Sequence, residues 1–217
     1  NVKSWTMEQR IAKKLLDMCL AIVLGILTLP IWMICAIAIK AYDGGPVFFK
    51  QKRATIHGRV FELYKFRTMR ENVENRSVTD HDDRITKPGE IMRKTRIDEL
   101  PQLINILKGD MSFVGPRPEM LENVEAYEEQ LPEFRYRLRV KAGLTGYAQI
   151  SGKYNTTPKD KLIMDLMYIE QFSILKDIQL IFQTFIVLLK SDSTEAFKEG
   201  QAVHQYIFHP AVQDKEE

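Results

Sequence analysis

The sequence predicts an α/β chain, mostly helical with one small β-hairpin, that enters a membrane through its N-terminal segment. Three observations carry this: an uncharged apolar run from Met18 to Ile39, two strand-forming stretches that meet at His57-Gly58, and later segments with helical punctuation. A chain of 217 residues, 45% hydrophobic and 28% charged, buries one full core with room for a further small element. A formal charge of +2 gives no overall field for a nucleic acid, so partners have to be read locally. The only two cysteines, Cys19 and Cys35, lie inside the apolar run, where a thiol is an inert small hydrophobe rather than a metal ligand or half of a disulfide. The chain opens on Asn1, as a piece of a longer polypeptide would.

The apolar run, MCLAIVLGILTLPIWMICAIAI, holds about 22 residues, and a straight helix of that length spans about 33 Å. It is too long for a signal peptide, and Lys40 closes it with no small-residue cleavage site. Pro30 sits near its middle, where it removes a helix hydrogen bond and crowds the preceding turn, so a bend is expected there. Cationic residues flank both ends: Arg10, Lys13 and Lys14 before, Lys40, Lys50, Lys52 and Arg53 after. Such residues are enriched on cytoplasmic flanks. That suits a hairpin entering and leaving by one face, while a kinked spanning helix remains the alternative.

Asp43-Gly44-Gly45-Pro46 is turn chemistry and leads into VFFKQKR; His57-Gly58 then turns the chain into VFELYKFRTM at 60–69, a hairpin. On its second strand Lys65 and Arg67 alternate with Tyr64 and Phe66, which aims them either at a phosphate or into solvent. Residues 71–90 are polar and aperiodic, a loop; within them Asp80-His81-Asp82-Asp83 lacks metal-ligand spacing and reads as a solvated turn. Residues 119–131 place Glu119, Glu122, Glu125, Glu128 and Glu129 on a solvated helix face. Residues 142–147 are expected to form a tight loop, followed by helices at 159–172 and 177–190. The last of these is too short to cross a bilayer and too apolar to be fully wet, so it packs in the core or lies in the interface plane. His57, His204 and His209 are scattered and receive no chemistry.

TRIDELPQL at 95–103 sets Asp98 and Glu99 beside an arginine-rich run and a proline. With Asp98 as helix N-cap, Pro101 falls in the first turn, where its missing N–H is no loss, and the helix runs to Lys108 before Gly109. The helix dipole there favours a carboxylate and attracts phosphate. Adjacent helical side chains diverge by about 100°, so the two acids take different tasks. An aspartate can attack phosphorus and hold it covalently. Its neighbour can hold Mg²⁺, which binds through one or two carboxylates plus substrate phosphates. Arg93 and Arg117 offer guanidinium clamps for a diphosphate. The plain alternative is a DE pair that merely caps a helix.

KFRTM at 65–69, RKTRIDELPQLINILKGDMSFVGPRPE at 93–119 and GLTGYAQISGKYNT at 143–156 together resemble the bacterial sugar transferase family, the monotopic polyprenyl-phosphate phosphoglycosyl transferases. The likeness runs from about Lys13 to Lys190. It implies transfer of a sugar 1-phosphate from a UDP-sugar to polyprenyl (undecaprenyl) phosphate with release of UMP, the first membrane step of surface-glycan assembly, at the cytoplasmic face of the bacterial inner membrane. By position it makes Asp98 the nucleophile, Glu99 the partner of Mg²⁺, and Arg93 and Arg117 phosphate ligands, and sets Tyr147 and Gln149 on the nucleotide side. It also implies a re-entrant helix-break-helix hairpin bent at Pro30, with interfacial amphipathic helices beside a cytoplasmic catalytic domain. Smaller relatives often have Ser before that proline where this chain has Leu29, which leaves the hydrogen bonding of the bend undefined.

The expected organisation is a membrane segment at 1–42, the catalytic domain at 43–190 and a tail at 191–217, whose Phe197, Tyr206 and Phe208 form a contact arm, for example in a homodimer, or fray. A membrane-tethered scaffold and a nucleotide-sugar pyrophosphatase are the rival readings. Glucose, galactose and N-acetylated sugars all fit as the group transferred.

Overall fold

The computed structural model describes residues 5–70, 82–151 and 156–188. Asp80 and His81, most of the expected loop from 71, the tail from 191 and its histidines lie outside them. Helix α1 (Met7–Leu27) starts well before the apolar run. Thr6 and Gln9 form a reciprocal capping box, Thr6 Oγ1 accepting from the Gln9 N–H and Gln9 Oε1 from the Thr6 N–H. Lys13, Asp17 and Ala21, four residues apart and so on one face, are buried against the rest of the chain. Ile22, Val23, Ile26 and Leu27 are exposed.

The break falls at Thr28, and α2 (Leu29–Asp43) leaves at 60° to α1. Pro30 stands in the first turn of α2, where the missing N–H costs nothing, and it is the preceding helix that has to stop. The bend draws its hydrogen bonding from Thr28 rather than from the residue before the proline. Thr28 Oγ1 donates to the Leu24 carbonyl at 2.6 Å and accepts from Trp32 Nε1 at 3.1 Å. Among the described residues no single helix is long and apolar enough to cross a membrane, whereas this bent pair passes that test together.

Strands β1 (Phe48–Ala54) and β2 (Val60–Phe66) form the expected antiparallel hairpin, Phe48 opposite Phe66 and Ala54 opposite Val60. His57 and Gly58 both take positive φ in the connection, 58° and 74°. Helix α3 (Lys87–Lys94), capped by Thr86, occupies part of the stretch expected to be loop. A 3₁₀ turn (Ile97–Glu99) leads into α4 (Gln102–Leu107), which ends at Gly109 with φ 80°.

Residues 142–147 are not a simple loop. Strand β3 (Met111–Val114) pairs in parallel with β4 (Ala142–Thr145), Met111 beside Ala142 and Val114 beside Thr145, and Tyr147 opens the short α6 (Tyr147–Ser151). A Cβ on Gly143 would lie 2.1 Å from the Gly115 nitrogen, so only glycine admits this approach. Between the two strands lie α5 (Leu121–Gln130) and a 3₁₀ stretch (Pro132–Arg139); α7 (Pro158–Glu170) and α8 (Ile174–Leu188) follow.

Phe61 and Leu63 of β2, Leu103 and Ile106 of α4, β3 and β4, and Tyr168, Ile169 and Leu180 of the last helices make the main core, against which α1 lays Leu20 and Leu24. A smaller cluster joins Cys35 and Ile39 of α2 to Phe66 and Met92, with Ile97 and Leu100 packed on it. The chain on either side of Asp98 is thereby seated on the second half of the bent pair. Helix α8 belongs to the core and to the surface at once: Asp177 and Leu180 are buried, while Leu175, Ile178, Phe182 and Phe185 face outward.

Candidate active site

Asp98 does not cap α4. It lies inside the 3₁₀ turn, and the residue ahead of that turn is Arg96, held at φ 57°. A bulky residue in the left-handed region stores on the order of 1 kcal/mol, and such strain is concentrated at functional sites. The turn runs on i to i+3 bonds, with the Glu99 N–H on Arg96 and the Leu100 N–H on Ile97, so Pro101 enters without a donor to lose.

The two acids diverge as their adjacency requires, and both are buried, 7% and 9% exposed. Glu99 Oε1 accepts from Lys65 Nζ and from Arg117 Nη2, each at 2.9 Å. Burial opposes its charge, but Arg117, Lys65 and Arg96 outweigh that and hold the carboxyl well below its usual range. Asp98 Oδ1 is buried and without a hydrogen-bond partner among the described residues. Burial pushes the Asp98 carboxyl above its ordinary value, with Glu99 adding to the push, against Lys65, Arg93 and Arg96. Asp98 is not the cap of α4, and desolvation outweighs the helix dipole expected to keep it ionised. One carboxylate is locked between two cations, and the other keeps an oxygen free.

The surrounding cations come from separate elements. Lys65 projects from β2, whose free edge is closed by fully buried Asn105 of α4. The Asn105 amide accepts from the Tyr64 N–H at 3.0 Å and donates to the Glu62 carbonyl at 2.7 Å. Arg93 of α3 donates to Thr68 Oγ1 at 3.3 Å, and Asp98 supports its charge against burial. Arg67 is not brought to this group: its guanidinium grips Asp43 at the end of α2 and its Nε donates to the Pro46 carbonyl at 2.7 Å. Tyr147 packs edge-on to Tyr168, with Lys176 over its ring. Gln149 holds both amide heteroatoms buried and unpartnered among the described residues. Its Oε1 lies beside Gly146, which abuts Gly115, two residues before Arg117.

Glu119 is not on the solvated face with its neighbours in sequence. It is enclosed by Lys161 at 3.5 Å and Arg137 at 3.9 Å; burial opposes its charge, but Lys161, Arg137, Arg53 and Arg117 pull the carboxyl down to about 2. Arg137 and Asp165 form a buried pair at 2.8 Å, 3% and 2% exposed, and removing one partner of such a pair costs about 3–5 kcal/mol. No local pattern marks Asn105, Arg137 and Asp165, or the reach of Arg53 to Pro118, because the groups they meet lie far away in sequence. Only Asp165, a charge inside IMDLMY, gave a signal in the sequence.

No group of three or more His, Cys, Asp or Glu among the described residues makes a metal cluster. Mg²⁺ bound through one carboxylate and completed by substrate phosphates would need no such cluster, and Glu99, beside the unpartnered Asp98 oxygen, is the carboxylate that would fit it.

A family model described as bacterial sugar transferase matches residues 8–191. The chain is 36% identical over 189 residues to a UDP-glucose:undecaprenyl-phosphate glucose-1-phosphate transferase of Caulobacter vibrioides, covering 83% of this chain and 71% of that one. It is 38% identical to a UDP-N-acetylgalactosamine-undecaprenyl-phosphate N-acetylgalactosaminephosphotransferase of Aeromonas hydrophila, over 82% of this chain and only 43% of the relative's length. It is 39% identical to the uncharacterized sugar transferase EpsL of Bacillus subtilis, over 85% of this chain and 91% of that one.

Proposed function

Because this chain belongs to the bacterial sugar transferase family, whose characterised relatives here are phosphoglycosyl transferases, we propose that it moves a sugar 1-phosphate from a UDP-sugar to polyprenyl phosphate through a phosphosugar held on Asp98. The observation that carries this is the contrast within the acid pair: Glu99 is locked by Lys65 and Arg117, while Asp98 Oδ1 stays buried and unpartnered.

In the first step an Asp98 oxygen attacks the phosphorus that bears the sugar. The bond from that phosphorus to the bridging oxygen breaks, and UMP leaves with both bonding electrons. In the second an oxygen of polyprenyl phosphate attacks the same phosphorus, the bond to Asp98 breaks, and the carboxylate is restored. Splitting the transfer this way replaces one hard displacement by two easier ones. Arg93 and Arg117 bind the phosphate oxygens, and Lys65 offsets the charge gathering beside Asp98. When bound, Mg²⁺ would be held by Glu99 and would supply neutralisation of the diphosphate.

The exposed apolar residues of the bent pair and of α8 support a seat in one leaflet, on the cytoplasmic side given the cations flanking the hairpin. Asp98 then meets a lipid phosphate at headgroup depth and a soluble nucleotide from the other side. The test is UMP release across UDP-glucose, UDP-galactose and UDP-N-acetylgalactosamine in nanodiscs, with intact-protein mass spectrometry after donor alone. A mass increase of one sugar phosphate is expected on the wild-type chain and none on Asp98→Asn. UMP release by Asp98→Asn at the wild-type rate overturns the covalent route.

A further inference from the structure

Arg117 reaches Glu99 from a short segment, Pro116-Arg117-Pro118, that belongs to neither a helix nor a strand. Its first carbonyl, that of Pro116, accepts from the Gly143 N–H at 2.8 Å, and a pair of guanidinium groups holds the next two. Arg137 Nη2 donates to the Arg117 carbonyl at 2.9 Å, and Arg53 Nη1 donates to the Pro118 carbonyl at 3.3 Å. The two come from different elements, the 3₁₀ stretch after α5 and strand β1.

Each is itself constrained. Arg137 is anchored: its Nε and Nη2 both meet Asp165 Oδ2 at 2.8 Å, and its Cζ lies 4.8 Å from the Phe134 ring centroid. Arg53 is held by Gln51 Oε1 at 2.6 Å, and its residue bridges to Met120 just beyond the segment. Burying cations beside a third cation is unfavourable unless their geometry is used, and Glu119 among them supplies the counter-charge.

We propose that Arg137, locked by Asp165, and Arg53 are positioning residues that set the place of the Arg117 guanidinium through its backbone. This rests on Arg117 meeting the substrate diphosphate, as proposed above. A lysine at either position keeps the charge but has no planar fork, so it cannot hold both its anchor and the carbonyl in the same geometry. A displacement of about 1 Å at a clamp is worth up to roughly 10²-fold in rate.

The experiment is a double-mutant cycle on the full chain in nanodiscs. UMP release is measured with saturating undecaprenyl phosphate and Mg²⁺, using whichever of UDP-glucose, UDP-galactose or UDP-N-acetylgalactosamine is turned over fastest. Arg137→Lys is expected to lower kcat/KM about 10-fold in the wild-type background and less than about twofold in Arg117→Ala, while its drop in Tm is the same in both. Equal fold-losses in the two backgrounds overturn the inference and leave the functional reading intact. An unchanged kcat/KM in Arg117→Ala alone refutes the role of Arg117 itself, and the inference falls with it. Should Arg137→Lys not fold, Arg53→Lys goes through the same cycle, with the same expected coupling and the same refuting result.

Discussion

Replacing Asp98 by asparagine removes the proposed nucleophile and, with it, a charge the fold is ill suited to hold. In the folded chain burial raises the Asp98 pKa above its ordinary value near 3.8, despite Lys65, Arg93 and Arg96. The sign follows from linkage. A carboxyl with a higher pKa folded than unfolded makes the native state lose stability as pH rises between the two values, and the cost is complete above the folded pKa. An amide of the same shape carries no such cost. Relief of strained active-site chemistry of this kind amounts to about 1 kcal/mol, or a rise in Tm of roughly 2–4 °C for a chain of this size. Asp98→Asn is thus expected to unfold at higher temperature than wild type at pH 8, to lose that advantage toward pH 4, and to lower UMP release by roughly 10⁴-fold or more. Thermal unfolding followed by intrinsic fluorescence across that range tests the stability arm. An Asp98→Asn variant less stable than wild type at pH 8, or one whose advantage is the same at pH 4, refutes the desolvation argument.

Asn105→Leu strips the Tyr64 N–H and the Glu62 carbonyl of their partners, so a loss of about 2 kcal/mol and a Tm roughly 4–8 °C lower are expected by the same method; an unchanged Tm removes the edge-closing role. The pH profile of kcat/KM is expected to rise along a single acidic limb with its midpoint above the ordinary Asp value, because Asp98 must lose its proton while Glu99 is ionised throughout; a second acidic ionisation in the profile contradicts this. Thr28→Val is expected to cost about 1 kcal/mol and Thr28→Ser far less, read as Tm, since only the hydroxyl serves the helix break; equal losses refute it. UMP release is expected to stop when EDTA removes Mg²⁺ and to return on its addition, and release that persists excludes the metal role given to Glu99.

The parts of this fold that were legible in the sequence are those set by local chemistry. His57-Gly58 announced the hairpin because both residues suit the positive φ that the turn takes. Pro30 announced the break, although the bend is centred on Thr28, because proline is admitted to a first turn and excluded from an interior. The adjacency of Asp98 and Glu99 was visible, as was their need to diverge. Their electrostatics were not: the cations that lock Glu99 come from residues 65 and 117, and burial, which local sequence does not report, decides the state of Asp98. Arg67 shares its strand-end motif with Lys65 yet serves Asp43, since the neighbour that captures it is the end of α2 folded back beside it. The parallel pairing of β3 with β4 escaped notice because MSFV and AGLT are each too short to show a period.

Lys13 of α1 is buried with its ammonium 2.5 Å from Asp177 Oδ2 and 5.5–5.9 Å from the ring centroids of Trp5, Tyr168 and Phe172. The two charges are separated by 164 residues of chain. During synthesis the first helix therefore emerges long before its counter-ion exists, and this face stays wet until then. Neutralisation of Lys13 waits until α8 has been made, which turns the last helix into a clasp on this face of α1. A ribosome stalled short of Asp177 would leave Lys13 unneutralised.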